Sequence, residues 1–168
     1  MNVNLRAPEP EDLALCYRLE NDETLWSVGA ARTHFSRYAL KQYLAAGAQD
    51  IFQAGELRLV IEEPESGTAV GLIDLTSYSA MDERAEVGIA LLPEYRHRGL
   101  GTAALRALEH YAGNILHIRL LYAMVSTAGN PANPQFFTQA GYNRVATLPA
   151  WHYYDGKSHD IQIFQKIL

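Results

Sequence analysis

The segment from Arg96 to Thr102 has the residue types and spacing of an anion-binding loop. An apolar stretch ends at Pro93, and from Gly99 onward apolar residues recur every three or four positions, which predicts a helix. The first N–H groups of a helix lack partners and carry about half a positive charge, while glycines at 99 and 101 leave room beside two arginines. A phosphate or pyrophosphate would suit this loop. Its residues are Arg96, His97, Arg98, Gly99, Leu100, Gly101 and Thr102.

Two common nucleotide-binding motifs do not match this loop. A P-loop has a Lys-Ser/Thr pair after its second glycine, and the dinucleotide-binding pattern has three glycines. Neither feature occurs between Arg96 and Thr102. The alternative to phosphate binding is an ordinary helix start whose arginines and glycines are incidental.

Two motifs, in the same order and at the same separation, resemble those of the GNAT acetyltransferase superfamily. Arg96-His97-Arg98-Gly99-Leu100-Gly101 is similar to its Arg/Gln-x-x-Gly-x-Gly/Ala motif, which holds the pyrophosphate of acetyl-coenzyme A (acetyl-CoA). The second resembles Asn-x-x-Ser/Ala-x-x-Leu-Tyr-x-x-x-Gly-Phe, with changed residues at several places. It consists of Asn130, Asn133, Phe136, Phe137, Gly141 and Tyr142. Arg84-Ala85-Glu86 and the aromatic segment Trp151 to Tyr154 resemble the ribosomal-protein and polyamine (spermidine/diamine) branch.

The hydrophobic pattern predicts one α+β domain over residues 1–168, with seven strands and four helices. The predicted strands are Val3 to Ala7, Leu57 to Glu62, Ala69 to Ser77, Ala85 to Leu92, Ile118 to Val125, Tyr142 to Leu148 and His159 to Phe164. The predicted helices are Asp12 to Glu20, Phe35 to Ala46, Gly99 to Ala112 and Asn133 to Ala140, and the segment Asn21 to Thr33 is irregular. The crossover through the third helix predicts that the fourth and fifth strands are parallel. The resemblance implies a mostly antiparallel, twisted sheet in which this parallel pair splays apart.

The resemblance also implies how acetyl-CoA lies in the splay. Its pantetheine arm would pair with the exposed backbone of four residues, Gly88, Ile89, Ala90 and Leu91. The N–H of Ile89 would polarise the thioester carbonyl. Gly88 is a candidate for a β-bulge or a close backbone approach. Asn130 would bond the pantetheine amides or else cap its turn, and Asn133 is expected to cap the following helix.

Acetyl transfer to an alkylamine needs a base, because such amines have a pKa of about 10 and arrive protonated. Glu86 is the candidate, directly or through water, because it lies just before the implied cofactor-binding backbone and partial burial would raise its pKa. The alternative is that Glu86 faces solvent or pairs with Arg84. Other carboxylates near the expected cleft are Glu62, Glu63 and Asp74, of which Asp74 is the strongest rival.

Phe137 departs from the family pattern, since many members have there a tyrosine that protonates the departing thiolate. A phenyl ring cannot donate a proton, so either the thiolate leaves unaided or another donor, Tyr122 or Tyr142, serves. The same departure keeps a second function open: a non-catalytic GNAT-like module that binds coenzyme A thioesters as a sensor. The first hypothesis is an N-acetyltransferase whose acceptor is a small amine, a polyamine or a protein N-terminus.

Composition excludes several classes of protein. The 168 residues are 48% apolar and 20% charged, which is typical of a globular domain and not of a disordered chain. A net charge of -5 argues against binding to a nucleic-acid backbone, and the single Cys16 cannot form an internal disulfide. The spacing of the histidines predicts no metal site, and no secretory signal or membrane-spanning run is apparent. We expect a cytoplasmic enzyme with acetyl-CoA and an amine as partners, and members of this superfamily often form homodimers.

Overall fold

The structure is a computed structural model and describes residues 2–29, 32–47 and 50–168. The strands are β1 (Asn4–Arg6), β2 (Leu57–Glu63), β3 (Thr68–Ser79), β4 (Arg84–Leu91), β5 (Leu120–Ser126), β6 (Asn143–Tyr154) and β7 (Lys157–Ile167). The helices are α1 (Leu13–Glu20), α2 (Arg37–Ala45), α3 (Ile51–Ala54), α4 (Leu100–Asn114) and α5 (Ala132–Gln139). The strands form one sheet in the order β1-β2-β3-β4-β5-β7-β6, in which β4 and β5 are parallel and the other neighbours are antiparallel. The predicted α+β class and its parallel pair are confirmed.

The helix α3 was not predicted from the sequence. It is a single turn that starts where the Asp50 side chain accepts the N–H of Phe52 and ends at Gly55, whose φ is 75°. So short a helix has no room for the apolar periodicity on which the prediction depends. The described part of the segment predicted as irregular contains a 3-10 turn, Glu23–Leu25, and residues 30 and 31 of that segment lie outside the described residues.

The last two strands form a longer hairpin than the sequence predicts. Asp155 and Gly156 make its turn with φ values of 50° and 71°, the conformation that favours Asp-Gly at a two-residue turn. The strand β6 runs on to Tyr154 after an irregularity between Leu148 and His152, where Ala150 has a φ of 51°. A bulge breaks the alternation of side chains. For this reason the hydrophobic pattern of the sequence predicted a strand that ends before the observed one does.

Two apolar cores lie on opposite faces of the sheet. On one face α4 and α5 pack on alternate residues of β4 and β5, including Ala85, Val87 and Leu121. On the other face α1 and α2 enclose a smaller core around Val60 and Leu72 of β2 and β3. Cys16 is fully buried in this second core, as expected for a structural thiol. Because side chains alternate along a strand, the residues between the core positions of β4 and β5 face the α1–α2 side.

The parallel strands β4 and β5 remain paired over only three residues each. The pairs run from Arg84 and Leu120 to Glu86 and Tyr122. Beyond them β4 stays bonded to β3 as far as Leu91, while β5 continues along β7. The two strands therefore diverge, and the implied splay is confirmed. Backbone groups of β4 on the open side have no strand ladder to bond to.

Candidate functional site

The start of α4 presents a row of unpartnered backbone N–H groups. Gly99 precedes the helix with a left-handed φ of 79°, and no side chain caps it. The N–H of Ala103 donates to the Gly99 carbonyl, whereas no acceptor takes the N–H groups of residues 97–102 in the described part of the chain. Successive free amides at a helix start bind anions. The helix predicted to open at Gly99 is confirmed, and its amides are available.

A channel runs from these amides along the open edge of β4. Its outer cavity, about 680 Å³, is lined by the loop and by α5, with Ile89, Ala90, Leu91, Gly101, Thr102 and Phe136 among its walls. Its inner cavity, about 480 Å³, lies where β4 and β5 diverge, and its walls include Trp26, Asp74, Glu86, Gly88, Ser126 and Phe137. The two cavities share Ile89, Ala90, Asn133 and Phe136. The channel therefore joins the free amides to the carboxylate of Glu86.

The side chains of the two loop arginines do not both face the channel. Arg96 lines the outer cavity, but its Nε donates to the Leu91 carbonyl at 2.9 Å and its Nη2 lies 3.6 Å from an oxygen of Asp22. The exposed Arg98 guanidinium lies 5.2 Å from the ring centre of Tyr95. The Leu100 side chain is buried in the larger core. Arg96 is thus held by groups of the protein itself, and Arg98 is not among the residues that line either cavity.

Of the two roles that the sequence left open for Asn130, the structure shows the cap of its turn, and it does not place Asn133 at a cap position. The Asn130 Oδ1 accepts the N–H of Ala132, the first residue of α5, at 2.9 Å, and its carbonyl accepts the N–H of Asn133. The prediction that Asn133 is the cap was wrong, since α5 begins at Ala132 and places Asn133 inside its first turn. The Asn133 side chain lines both cavities instead. Both residues thus remain beside the channel.

Glu86 is a half-buried carboxylate on the α1–α2 face of β4, at the inner end of the channel. Burial raises its pKa above the ordinary 4.5, because a low-dielectric surrounding disfavours the charged form. Arg84 pairs with Asp82 at 3.3 Å, and in the described part of the chain no cationic side chain forms an ion pair with Glu86. Its carboxylate is thus free to take a proton from a ligand.

The β-bulge that the sequence allowed at Gly88 is absent. The β3–β4 ladder is regular from Gly71 to Thr76, with Asp74 opposite Gly88. A Cβ placed on Gly88 would meet no atom within 4 Å. The glycine therefore leaves open space in the inner cavity, directly beside Glu86.

The rival carboxylates all have partners. Arg58 holds Asp74 through two hydrogen bonds, Nε to Oδ1 at 2.9 Å and Nη2 to Oδ2 at 2.8 Å, and its Nη1 bonds Glu20 at 2.6 Å. Glu62 pairs with Arg6 at 2.7 Å, and Glu63 accepts a hydrogen bond from Ser66. Burial lowers the pKa of Arg58, but the hydrogen bond to Asp74 and the charges of Asp74 and Glu20 outweigh it and raise this pKa far above its usual range. Asp74 is therefore committed to an ion pair, which leaves Glu86 as the better candidate for a base.

A family model described as an acetyltransferase (GNAT) domain matches residues 2–143 of this chain. The chain belongs to the GNAT acetyltransferase family. It is an N-acetyltransferase that uses acetyl-CoA. These matches do not favour the alternative of a non-catalytic module.

Known relatives extend the resemblance to the polyamine branch. The spermidine N(1)-acetyltransferase of Escherichia coli (strain K12) is 28% identical over 131 residues, which is 78% of this chain and 68% of the relative. An uncharacterized N-acetyltransferase of Bacillus subtilis (strain 168), YoaA, is 21% identical over 155 residues, 92% of this chain and 80% of the relative. A crystal structure of spermidine N-acetyltransferase from Vibrio cholerae, in complex with CoA and spermine, superposes with a TM-score of 0.87 at 22% identity, covering 99% of this chain and 95% of that chain. The predicted branch is confirmed.

Phe137, which replaces the family's tyrosine, belongs to an aromatic cluster. Its ring centre lies 5.1 Å from that of Phe136, 5.4 Å from that of Tyr142 and 6.1 Å from that of Phe164, and it also lines the inner cavity. Tyr142 does not qualify as a substitute acid, because burial raises the pKa of its almost completely enclosed hydroxyl far above the usual range. Tyr122 lies opposite Glu86 in the strand register, at the narrow end of the opening.

We expect Phe137→Tyr to preserve the fold and to raise kcat by about tenfold or more if proton donation to the thiolate limits the reaction. The ring already fits the cluster, so the only new group is a hydroxyl beside the inner cavity. Steady-state kinetics and thermal unfolding would measure both effects, with Phe136→Tyr as the matched control one residue earlier. An unchanged kcat in Phe137→Tyr would count against a missing acid.

Several groups of the site were missed by the sequence analysis. Arg58 and Glu20 lie 38 residues apart, and Ser126 and His152 lie 26 apart, so no local pattern links either pair. Among the aromatic residues near the site, Trp26 lines the inner cavity, whereas the side chain of Tyr153 is exposed. Tyr38 is exposed on α2, and Tyr154 stacks on His152.

The structure also bears on metal binding and on membrane-spanning helices. Within residues 2–29, 32–47 and 50–168, no group of three or more His, Cys, Asp or Glu side chains is arranged to hold a metal ion. The helices in that part of the chain are all too short or too polar to cross a membrane.

Proposed function

We propose that this N-acetyltransferase transfers the acetyl group of acetyl-CoA directly to a primary amine of a small cationic acceptor, with a polyamine as the first candidate and a protein N-terminus as the alternative. The observation that carries the proposal is the channel that joins the free amides of residues 97–102 to Glu86. One end suits a pyrophosphate and the other suits a protonated amine.

The cofactor roles follow from this placement. The N–H groups of residues 97–102 would bind the pyrophosphate, and the open edge of β4 from Gly88 to Leu91 would bond the pantetheine arm. The N–H of Ile89 would stabilise negative charge on the thioester oxygen as the amine attacks. Asn133 would bond a pantetheine amide, since its side chain borders both cavities. Phe137 would contact the thioester end through its ring.

Glu86 would accept the proton that the ammonium group must lose before it can attack. Its raised pKa suits this task, because a carboxylate with the ordinary pKa is too weak a base at neutral pH. Gly88 would give the amine access, since nothing occupies the space where a Cβ would lie. Attack within a ternary complex then needs no acetylated enzyme.

The charge of the inner cavity supports a cationic acceptor. Three carboxylates line this cavity, those of Glu20, Asp74 and Glu86, together with only one guanidinium among its lining residues, that of Arg58. The indole of Trp26 adds an aromatic surface, which attracts ammonium groups. Two of the relatives compared above act on or bind polyamines by name, spermidine in one and spermine in the other.

We expect Thr102→Asp to weaken coenzyme A binding by about tenfold or more, because a carboxylate would then face the pyrophosphate. Thr102 lies in the first turn of α4 and lines the outer cavity, where an acidic residue suits the helix dipole, so the fold should be preserved. Calorimetric titration with coenzyme A would measure the affinity. The isosteric Thr102→Asn is the control and should bind nearly as the wild type does; equal losses in both variants would argue against pyrophosphate at this position.

The acceptor can be identified by measuring thiol release from acetyl-CoA across a panel of amines. The panel would contain spermidine, spermine, a diamine, a monoamine of similar length and a peptide with a free N-terminus. Thiol release that is fastest with the polyamines supports the first candidate, and release that is fastest with the peptide supports the alternative. Tight coenzyme A binding with no release for any amine would refute the proposed function.

A further inference from the structure

A buried serine and a histidine form a close pair in the wall of the inner cavity. Ser126 is the last residue of β5, is 3% exposed, and its Oγ lies 2.6 Å from Nδ1 of His152 on β6. Ser126 lines the same cavity as Glu86. Leu121, Ala123 and Val125 of β5 point into the larger core, so alternation places Ser126 on the opposite face, the one that Glu86 occupies on β4.

The strand register places Ser126 across the opening from the implied thioester position. Glu86 pairs with Tyr122, so continuing the parallel register brings Ser126 level with Ala90, one residue beyond Ile89. Glu86 precedes Ile89 by three residues, about 10 Å along the strand. Along the strand direction alone, Ser126 is therefore nearer than Glu86 to the level of Ile89, on the far side of the opening.

The reaction itself needs two proton acceptors. An ammonium nitrogen loses one proton before it attacks and a second when the amide forms. Glu86 can hold only one of these protons at a time. A second group on the amine side would allow both to leave without a return of the first to solvent.

We propose that Ser126 and His152 form a proton relay that removes the second proton from the acceptor nitrogen; this inference rests on the proposed function. The Ser126 oxygen accepts the N–H of Ala128 at 3.1 Å and bonds His152, which leaves one lone pair for an N–H of the acceptor. Ser126 would touch the substrate as a catalytic residue. His152 would act through it.

The surroundings of His152 keep its imidazole neutral, as a proton acceptor must be. Its pKa is lowered from 6.5 by desolvation, by the charge of Arg32 and by His159 on β7. The Tyr154 ring on β6 stacks on the His152 imidazole, with the two ring centroids 6.2 Å apart. The Arg32 guanidinium lies 5.7 Å from the centroid of the Tyr154 ring. In the described part of the chain, no carboxylate forms an ion pair with His152 that would oppose these effects.

The step balances in atoms and charge. The nitrogen lone pair forms the bond to the acetyl carbon, and the carbon–sulfur bond breaks with its electron pair on sulfur. An N–H proton of the acceptor moves to Ser126 Oγ while the hydroxyl proton moves to His152 Nδ1. The imidazolium then releases a proton to solvent, and the thiolate takes one from water.

The relay can be tested in the full chain with two variants of Ser126, one of the neighbouring Thr127 and one of His152. Ser126→Ala should lower kcat by about 100-fold, with the KM for acetyl-CoA unchanged, whereas Ser126→Thr keeps the hydroxyl and should recover most of the rate. Thr127→Ala is the matched control, because the Thr127 hydroxyl bonds the Asp160 backbone and lies outside the cavity lining. His152→Gln should be as slow as Ser126→Ala, since an amide can bond Ser126 but cannot carry the proton.

The pH dependence of the reaction distinguishes a proton relay from a purely structural role of the pair. The acid-side fall of kcat/KM for the amine in the wild type should follow the pKa of His152 measured by NMR in the free protein, and it should be lost in His152→Gln. Wild-type rates in Ser126→Ala or His152→Gln would overturn the relay, as would an acid-side fall that persists unchanged in His152→Gln. A loss of kcat that tracks a lowered unfolding temperature would also overturn it. A wild type that releases no thiol with any amine would refute the proposed function, and the relay with it.

Discussion

Replacing Glu86 with glutamine should lower kcat by at least about 100-fold, the usual contribution of a positioned general base. Glutamine has nearly the same shape and leaves the backbone of β4 unchanged, so coenzyme A affinity should stay within about twofold of the wild type. Thiol-release kinetics and calorimetric titration would measure the two quantities. Glu63→Gln, on β2 and outside the channel lining, is the matched control and should behave as the wild type.

The same variant should be more stable than the wild type at neutral pH. Burial raises the folded-state pKa of Glu86 above its ordinary 4.5, so ionised Glu86 costs folding free energy. That cost is absent below the unfolded-state pKa, where the carboxyl is protonated in both states, and is complete above the folded-state pKa. The gain in unfolding temperature of Glu86→Gln should therefore be largest above the raised folded-state pKa of Glu86 and should vanish well below its ordinary pKa of 4.5. A variant that loses stability or keeps its rate would contradict the assignment of Glu86 as a base held in an unfavourable environment.

Removing the Arg58 side chain should cause the largest loss of stability in the site. Arg58→Ala leaves Asp74 and Glu20, which are 23% and 22% exposed, without the guanidinium that neutralises them. Removing one member of a mostly buried ion-pair cluster costs about 3 kcal/mol, which for a chain of this size lowers the unfolding temperature by about 6–12 °C. Thermal unfolding followed by circular dichroism would measure the shift.

An exposed ion pair gives the control for Arg58. Arg18 bonds Glu94 at 2.9 Å, but the two side chains are 53% and 46% exposed. Water already solvates such charges, so Arg18→Ala should lower the unfolding temperature far less than Arg58→Ala does. Equal losses in Arg18→Ala and Arg58→Ala would mean that the cluster at the inner cavity contributes no more than a surface pair.

Features encoded by neighbouring residues were predicted well. The helix that opens at Gly99, the Asp155-Gly156 turn and the parallel β4–β5 pair follow from local glycine chemistry, hydrophobic period and the handedness of crossovers. The sequence analysis named Glu86 as the candidate base because it precedes the cofactor-binding backbone that the family resemblance implies. Its raised pKa agrees with the expected burial. The helix α3 and the far end of β6 were missed because a single turn and a bulge both lack a regular period.

The sequence by itself determined the free amides at the start of α4, because the N–H groups of residues 97–102 depend only on the local chain and on which residues precede the helix. Only the tertiary structure decided which carboxylate stays free. Asp74 and Glu86 look alike as acidic residues in neighbouring strands, but Arg58 approaches Asp74 from β2 and leaves Glu86 alone. The tertiary structure likewise placed Ser126 next to His152, because strand register and hairpin length set contacts between residues that are distant in the chain.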